Sequence, residues 1–301
     1  MFLISRTLPH PGFPRSVAVP AAAEDFQPPL SASGEGQGER RSVKKFRNVP
    51  RGNSIVIAFF IVFIFSSISA QNKSAPPRSV PLVIRTIPHD TKAFTQGFLW
   101  YKGFLYESTG QYGLSSLRCI DPADGRIMKN IPVPEVFAEG LCRMDSFLVQ
   151  LTWKERAAIR YSISGFAMKG SFSYDGEGWG LTSDGTSYIM SNGSDTLYFR
   201  NKHFSIVKKV AVKNSGKPLV PLNELEYVKG LIYSNVWYNT GIYVIQPSSG
   251  KVVRLIDCMP LVAQNGSQSD LDVLNGIAYN EKAGTFYITG KNWRYIFEVR
   301  F

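Results

Sequence analysis

The sequence predicts an all-β protein, a five-bladed β-propeller, on three observations. From about residue 82 onward, short runs rich in Val, Ile, Tyr and Phe alternate with Gly, Asp, Asn and Pro turns, with almost no helical periodicity. Five segments open alike, at Phe94-Thr95-Gln96-Gly97, Phe137-Ala138-Glu139-Gly140, Glu177-Gly178-Trp179-Gly180, Leu222-Asn223-Glu224 and Leu274-Asn275-Gly276. The residues before the opening Gly, or before the Glu224 that replaces it, are Gln96, Glu139, Trp179, Asn223 and Asn275, separated by 43, 40, 44 and 52 positions. A period in the forties that holds several strands corresponds to one propeller blade.

Within each unit a second strand is expected after a polar turn, at 105–110, 148–153, 188–193, 232–237 and 286–291. Third strands are expected at 117–121, 158–162, 196–200, 242–246 and 296–301. The fifth unit stops after its third strand at Phe301, whereas 82–87 reads as a strand without a unit of its own. It is expected to supply the missing outer strand of the fifth blade, so that neither chain end leaves a sheet edge open. A closed ring needs no partner to cover an edge, so a monomer is expected.

Ahead of the repeat, residues 1–54 are rich in Pro, Gly, Ser and Ala and read as a disordered basic extension. Arg40, Arg41, Lys44, Lys45, Arg47 and Arg51 precede an apolar run from Ile55 to Phe65, and small residues lead out to Ala70. Residues 55–70 therefore read as a secretory signal or signal-anchor, short for a full span, with 71–81 as a linker and 82–301 as the propeller. The basic flank should stay cytoplasmic and place the rest in the secretory lumen (endoplasmic reticulum, vacuole or outside the cell), with a membrane tether through 55–70 if the segment is not cleaved. Sequons at Asn72, Asn192 and Asn265 suit that compartment but are common by chance.

The bulk properties exclude several classes. The 301 residues are 44 % hydrophobic and 13 % aromatic, enough for one sizeable β-rich core. Of the formal net charge of +11, the first 54 residues carry +4, and the remaining excess has no nucleic-acid-binding motif beside it. A solvated basic surface is expected, and nucleic acid is not expected as a partner. Cys119, Cys142 and Cys258 are too few for a disulfide framework and contain no C-x-x-C pair. His10, His89 and His203 show no metal-ligand spacing, so no metal site is expected from them. His89 beside Asp90 resembles half of a catalytic dyad, but without a serine elbow a loop hydrogen bond is the simpler reading.

The register inside the units predicts a site. Fourteen positions after Gln96, Glu139, Trp179 and Asn223 stand Gly110, Trp153, Gly193 and Trp237, and the fifth unit has Lys291 sixteen after Asn275. Equivalent positions should gather at one mouth of the central channel. That mouth should hold Gln96, Glu139, Asn223, Asn275, Trp153, Trp179, Trp237 and Lys291. Tight turns explain Gly97, Gly140 and Gly276 without invoking a site, and packing between blades competes for each tryptophan. A buried carboxylate such as Glu139 is costly unless paired, so a structural ion pair is its rival explanation. Glu226 reads as structural.

Several strings resemble those of the plant and bacterial glutaminyl-peptide cyclotransferases (glutaminyl cyclases): P-H-D-x-x-A-F-T-Q-G-F at 88–98, L-Y-E-S-T-G at 105–110, F-A-E-G-L at 137–141 and Q-L-T-W at 150–153. G-E-G-W-G-L-T-S-D-G at 176–185, L-N-E-L-E at 222–226, N-V-W at 235–237, V-L-N-G-I-A-Y at 273–279 and T-G-K-N-W at 289–293 do so too. The resemblance runs in order through about 82–301. It implies a five-bladed propeller that converts the N-terminal glutamine of peptides and proteins to pyroglutamate with release of ammonia. It further implies Glu139 as the essential carboxylate, and a site lined by Phe94, Gln96, Phe137, Trp153, Trp179, Asn223, Trp237 and Lys291. Ala138 and Cys142 depart from the usual small residues without touching a predicted catalytic group. No cofactor is required; a structural cation in the central channel is compatible with such propellers.

In that reading Glu139 acts as general acid and base and Lys291, or an amide such as Asn223, stabilises the oxyanion. Two other classes fit part of the pattern. A non-catalytic peptide- or sugar-binding propeller would use the aromatic residues and amides, but would not require Glu139 and Lys291 in one small mouth. A calcium-dependent hydrolase of the lactonase kind could draw oxygen ligands from Asn223, Asn275 and Glu139.

Overall fold

The computed structural model describes residues 75–266 and 269–301. The extension 1–54, the signal segment 55–70, the start of the linker and the sequon at Asn72 lie outside them. Among the described residues no helix is long and apolar enough to cross a membrane.

Five antiparallel sheets form the blades. From channel to rim, blade 1 consists of Thr95–Tyr101, Phe104–Thr109, Ser116–Ile120 and Ile127–Pro132, and blade 2 of Ala138–Met144, Phe147–Thr152, Ala157–Ser162 and Met168–Ser173. Blade 3 consists of Leu181–Ser183, Tyr188–Met190, Thr196–Arg200 and Ile206–Ala211, and blade 4 of Leu222–Val228, Leu231–Val236, Gly241–Ile245 and Val252–Asp257. Blade 5 has Leu274–Asn280, Thr285–Gly290 and Tyr295–Arg300, and its outer strand is Leu82–Pro88. That strand pairs antiparallel with the last one, from Leu82 opposite Arg300 to Pro88 opposite Tyr295, closing the ring as the sequence predicts. The five innermost strands adjoin one another around the axis.

The predicted second strands lie one residue too late in four blades, so Gly110, Trp153, Trp237 and Lys291 are the first residues beyond their strands. In blade 3 the strand ends earlier, at Met190. Three features were not expected, one of them the two-stranded sheet of Lys213–Asn214 and Lys217–Pro218. Arg78–Ser79, inside the predicted linker, runs parallel to the outer strand of blade 4, with Arg78 opposite Leu255. The helix Met259–Asn265, opened by a proline in its first turn, fills the longest interval of the repeat.

Apolar clusters hold each blade to the next. Leu99, Tyr106 and Leu117 pack on Ala138, Leu141 and Ile159; Cys142, Val149 and Leu151 pack on Leu181, Tyr188 and Met190. Ile189, Leu197 and Phe199 meet Leu222, Leu225 and Ile232, while Ile242, Val244 and Ile256 meet Leu274, Ile277 and Phe286. The ring closes where Ile87, Phe98 and Leu105 pack on Ala278, Tyr287 and Ile296. Consecutive residues serve opposite neighbours, as Leu141 and Cys142 show, because strand side chains alternate between faces.

At the axis the inner strands touch through backbone. A side chain on Gly97 would overlap the Leu141 amide and Gly140, one on Gly140 would overlap Gly180 and Leu181, and one on Gly180 would overlap Asn223 and Glu224. Gly97 and Gly140 are therefore needed for close approach and not, as the sequence suggests, for tight turns; Gly276 alone of the three has positive φ, at 127°. Blade 4 carries Glu224 at this level. Its fully buried carboxylate accepts the Phe98 amide of blade 1 at 3.3 Å and the Ile277 amide of blade 5 at 3.0 Å. Glu226 accepts the Tyr279 amide at 3.0 Å and the Thr182 hydroxyl at 3.5 Å, a structural role as expected.

The three thiols are unbridged, and burial pushes those of Cys142 and Cys258 up. Asn265 is buried, with Oδ1 accepting the Arg294 amide at 3.0 Å and Nδ2 donating to the Gly266 carbonyl at 2.7 Å. Asn192 is half-buried and bonded to Ser194 and Tyr198.

Replacing Gly97 with Ala forces a side chain into backbone and is expected to cost about 1–3 kcal/mol or more. Gly165→Ala, whose nearest neighbour would be Ser162 Oγ at 3.8 Å, should stay within about 0.5 kcal/mol of wild type. Urea denaturation of the two variants measures the difference.

Candidate active site

Each inner strand of blades 1, 2, 4 and 5 opens with one residue more than its partner. Thr95 faces Thr109 and Gly97 faces Ser108, leaving Gln96 over; Ala138 faces Thr152 while Leu141 faces Gln150. Leu222 and Leu225 face Val236 and Ser234, and Leu274 and Ile277 face Gly290 and Ile288. A bulge of this kind releases a residue from strand alternation and re-aims its side chain. The released stretches carry Gln96, Glu139, Asn223 and Asn275.

These side chains are at most 5 % exposed, as is Lys291. Asn275 Nδ2 donates to the Thr95 carbonyl at 2.9 Å and to Gln96 Oε1 at 3.4 Å, and Gln96 Nε2 donates to Glu139 Oε1 at 3.0 Å. The chain of amides fixes one carboxyl oxygen of Glu139. The side-chain oxygens of Asn223 and Asn275 are buried acceptors without a donor among the described residues. Lys291 Nζ lies 4.6 Å from the Phe94 ring centre and 5.6 Å from the Trp237 ring, a cation–π seat between blades.

Aromatic residues wall the mouth. Phe94 meets Phe137 edge-on at 6.2 Å, and Phe137 meets Trp153 at 5.5 Å. Trp179 meets Trp237 at 5.6 Å, nearly perpendicular. Phe137, Trp153, Trp179 and Trp237 are half-buried, so their rings are open to a ligand as well as to each other. Side chains on Gly110 or Gly193 would run into Phe137 and Trp179 respectively, which is why these two blades have glycine where the others carry Trp or Lys.

Sequence reasoning missed four neighbours. Glu177 accepts both the Trp153 indole N–H, at 2.8 Å, and the Trp179 indole N–H, at 3.0 Å. Tyr112 packs edge-on against Phe137 at 5.5 Å and donates to Glu155 Oε1 at 2.8 Å. Tyr238 stacks on Trp237 at 4.6 Å. Glu177 stands inside the G-E-G-W-G string, so its signal was present but unassigned. His89 makes the expected loop hydrogen bond, to the Trp293 carbonyl at 2.9 Å, but also meets the buried Glu107 at 2.9 Å. Burial alone would raise Glu107, yet His89, Arg118 and Thr95 hold it below the ordinary carboxylate value.

Burial lifts the Glu139 carboxyl well above its usual range; the Lys291 charge opposes this, and Glu177 and Glu155 push further upward. Burial likewise brings Lys291 down to about 8 against the attraction of Glu139. Among the described residues no salt bridge reaches Glu139, so the structural ion pair does not account for it. Both groups are held in a place that disfavours charge.

No cluster of three or more His, Cys, Asp or Glu side chains converges among the described residues. On the axis, the oxygens of Glu224 already face two amide donors. The residues present do not make a carboxylate cage for a channel cation, and no step below uses one. Two surface clefts, of about 580 and 510 Å3, lie outside the mouth and include neither Glu139 nor Lys291.

Folded Glu139 keeps a proton that the unfolded chain releases, so its contribution to stability is present at acid pH and lost as the pH rises above the unfolded carboxyl's value of about 4.5. Glu139→Gln mimics the protonated form. It should match wild type in urea unfolding near pH 4.5 and exceed it near pH 7.5, by about 1.4 kcal/mol per unit of elevation within that window. A wild type that gains on the variant as pH rises would show a depressed carboxyl instead.

The family model of glutamine cyclotransferase matches residues 56–301. A glutaminyl-peptide cyclotransferase of Arabidopsis thaliana is 33 % identical over 230 residues, covering 72 % of this chain and 70 % of the relative. The crystal structure of Myxococcus xanthus glutaminyl cyclase superposes with a TM-score of 0.72 at 36 % identity, over 75 % of this chain and 97 % of that one. The chain belongs to the glutamine cyclotransferase family.

Proposed function

We propose that the chain is a glutaminyl-peptide cyclotransferase, closing the N-terminal glutamine of peptides and proteins to pyroglutamate with loss of ammonia at the Glu139 mouth. One observation carries the residue assignment: a carboxyl fixed by Gln96 and raised by burial shares an aromatic-walled mouth with the Lys291 ammonium.

The reaction needs no second substrate. The α-amine nitrogen attacks the γ-carboxamide carbon, a C–N bond forms, and the carbonyl oxygen becomes an oxyanion. In its ionised form Glu139 takes a proton from the attacking nitrogen and delivers it to the departing amide nitrogen, which returns Glu139 to the ionised state. The old C–N bond breaks, ammonia leaves, and the lactam remains. An α-amine titrates near 8, so a carboxyl lifted by burial above the ordinary range exchanges protons with it at lower cost than an ordinary carboxylate would. Lys291, held by aromatic faces and only partly neutralised by Glu139, supplies positive charge for the oxyanion. The orphaned oxygens of Asn223 and Asn275 are acceptors suited to the substrate's amine and carboxamide N–H groups. Phe94, Phe137, Trp153, Trp179 and Trp237 hold the aliphatic stem folded, and orientation of this kind is worth up to roughly 7–11 kcal/mol.

The calcium-hydrolase alternative loses support from the same contacts. Glu139 already accepts a Gln96 amide and feels the Lys291 charge, which would repel a divalent ion. The binding-module alternative leaves the raised carboxyl and lowered ammonium without a purpose. We further propose a lumenal location, with residues 55–70 as signal or tether, on the basic flank and apolar run that precede the propeller, and a monomer, on the closed ring.

The test is a short peptide with N-terminal glutamine, followed by ammonia release and mass, with and without chelator. A chelator-insensitive loss of about 17 Da is expected, since one ammonia departs, and Glu139→Gln should lower kcat by about 100-fold or more while keeping the fold. A folded wild type without turnover would leave a binding propeller.

A further inference from the structure

Glu177 lies outside the set that handles the substrate, yet it connects two parts of that set. A single oxygen, Oε2, accepts the indole N–H of Trp153 at 2.8 Å and of Trp179 at 3.0 Å. The first tryptophan follows the second strand of blade 2 and the second precedes the inner strand of blade 3. The clamp therefore spans a blade interface. The backbone on both sides of Glu177 is fixed. Gly176 adopts φ 82°, and the Gly178 amide donates to the Trp153 carbonyl at 3.0 Å. Any side chain on Gly178 would strike Tyr174, whose hydroxyl is bonded to the Thr152 carbonyl.

The remaining freedom of Trp179 is removed by Gly193 beneath the ring and Trp237 at its edge. Neutral indole donors orient the carboxylate without cancelling its charge, so Glu177 also acts at a distance. Together with Glu155 it disfavours ionisation of Glu139.

We propose that Glu177 is a positioning residue for the cyclisation: it locks Trp153 and Trp179 as the wall that folds the glutamine side chain, and its charge adds to the negative potential at Glu139. The inference rests on the cyclotransferase reading above. The two duties separate chemically. A glutamine at this position keeps an oxygen that can accept both indole N–H groups and loses only the charge, whereas alanine loses both.

Kinetics of pyroglutamate formation on an N-terminal glutamine peptide, measured across pH for wild type, Glu177→Gln and Glu177→Ala, test this. For Glu177→Ala, kcat/KM should fall by about ten- to a hundredfold, the scale of a misplaced reacting group. For Glu177→Gln, KM should stay within about threefold. The acid limb of its kcat/KM profile should move to lower pH, because a negative neighbour of the free-enzyme carboxyl is gone. If Glu177→Ala does not fold, the shift and retained KM of Glu177→Gln carry the test. An unmoved limb in Glu177→Gln, or wild-type kcat/KM in a folded Glu177→Ala, overturns the proposal. An inactive wild type overturns the cyclotransferase reading itself, and this inference with it.

Discussion

The mouth of the channel depends on one extra residue at the start of each inner strand in blades 1, 2, 4 and 5. A regular strand would send each of Gln96, Glu139, Asn223 and Asn275 toward a neighbouring blade, where apolar clusters already fill the space. The bulge turns them out of that alternation together, at one level of the ring. It is tolerated because the next residue in the first and second units is a glycine that lets the backbones meet at the axis, and in the fifth is Gly276, which adopts a positive φ. In blade 4 Glu224 stands at that level and ties blades 1 and 5 through their amides. The same device therefore narrows the channel, closes the ring and presents the polar groups.

The electrostatics follow from that placement. A carboxyl and an ammonium sit in a mouth walled by aromatic rings, each made less willing to ionise by burial, and each acted on by the other through space. Such a pair is poor material for stability, since desolvation can outweigh attraction. It suits a reaction in which a proton must leave one nitrogen and reach another. Stability is supplied instead by the five interfaces between blades, whose clusters contain none of these groups.

Much of this was legible in the residues. The five openings, the spacing of fourteen to Trp153 and Trp237, and the unit-less strand at 82–87 led to the ring, its closure and the mouth, because each unit repeats one local pattern. Contacts between units left weaker traces. Gly97 and Gly140 read as turn residues, since nothing local reveals a neighbouring backbone pressed against them. Glu224 read as a substitute for glycine, when its carboxylate works on blades 1 and 5. Glu177 escaped because its role is to two indoles that meet only in the folded chain. The helix Met259–Asn265 is too short for periodicity to declare it, and the pairing of Arg78–Ser79 with blade 4 has no local signature.

The account turns on the protonation state of one carboxyl, and isotope-edited infrared spectroscopy reads it directly. With carboxyl-labelled glutamate, the spectrum of wild type minus that of Glu139→Gln isolates the Glu139 band from those of Glu224 and Glu226. The protonated C=O band of Glu139 is expected to persist where an ordinary glutamate is already ionised, and to give way to carboxylate only at higher pH. A Glu139 carboxylate already complete at pH 5 would contradict it.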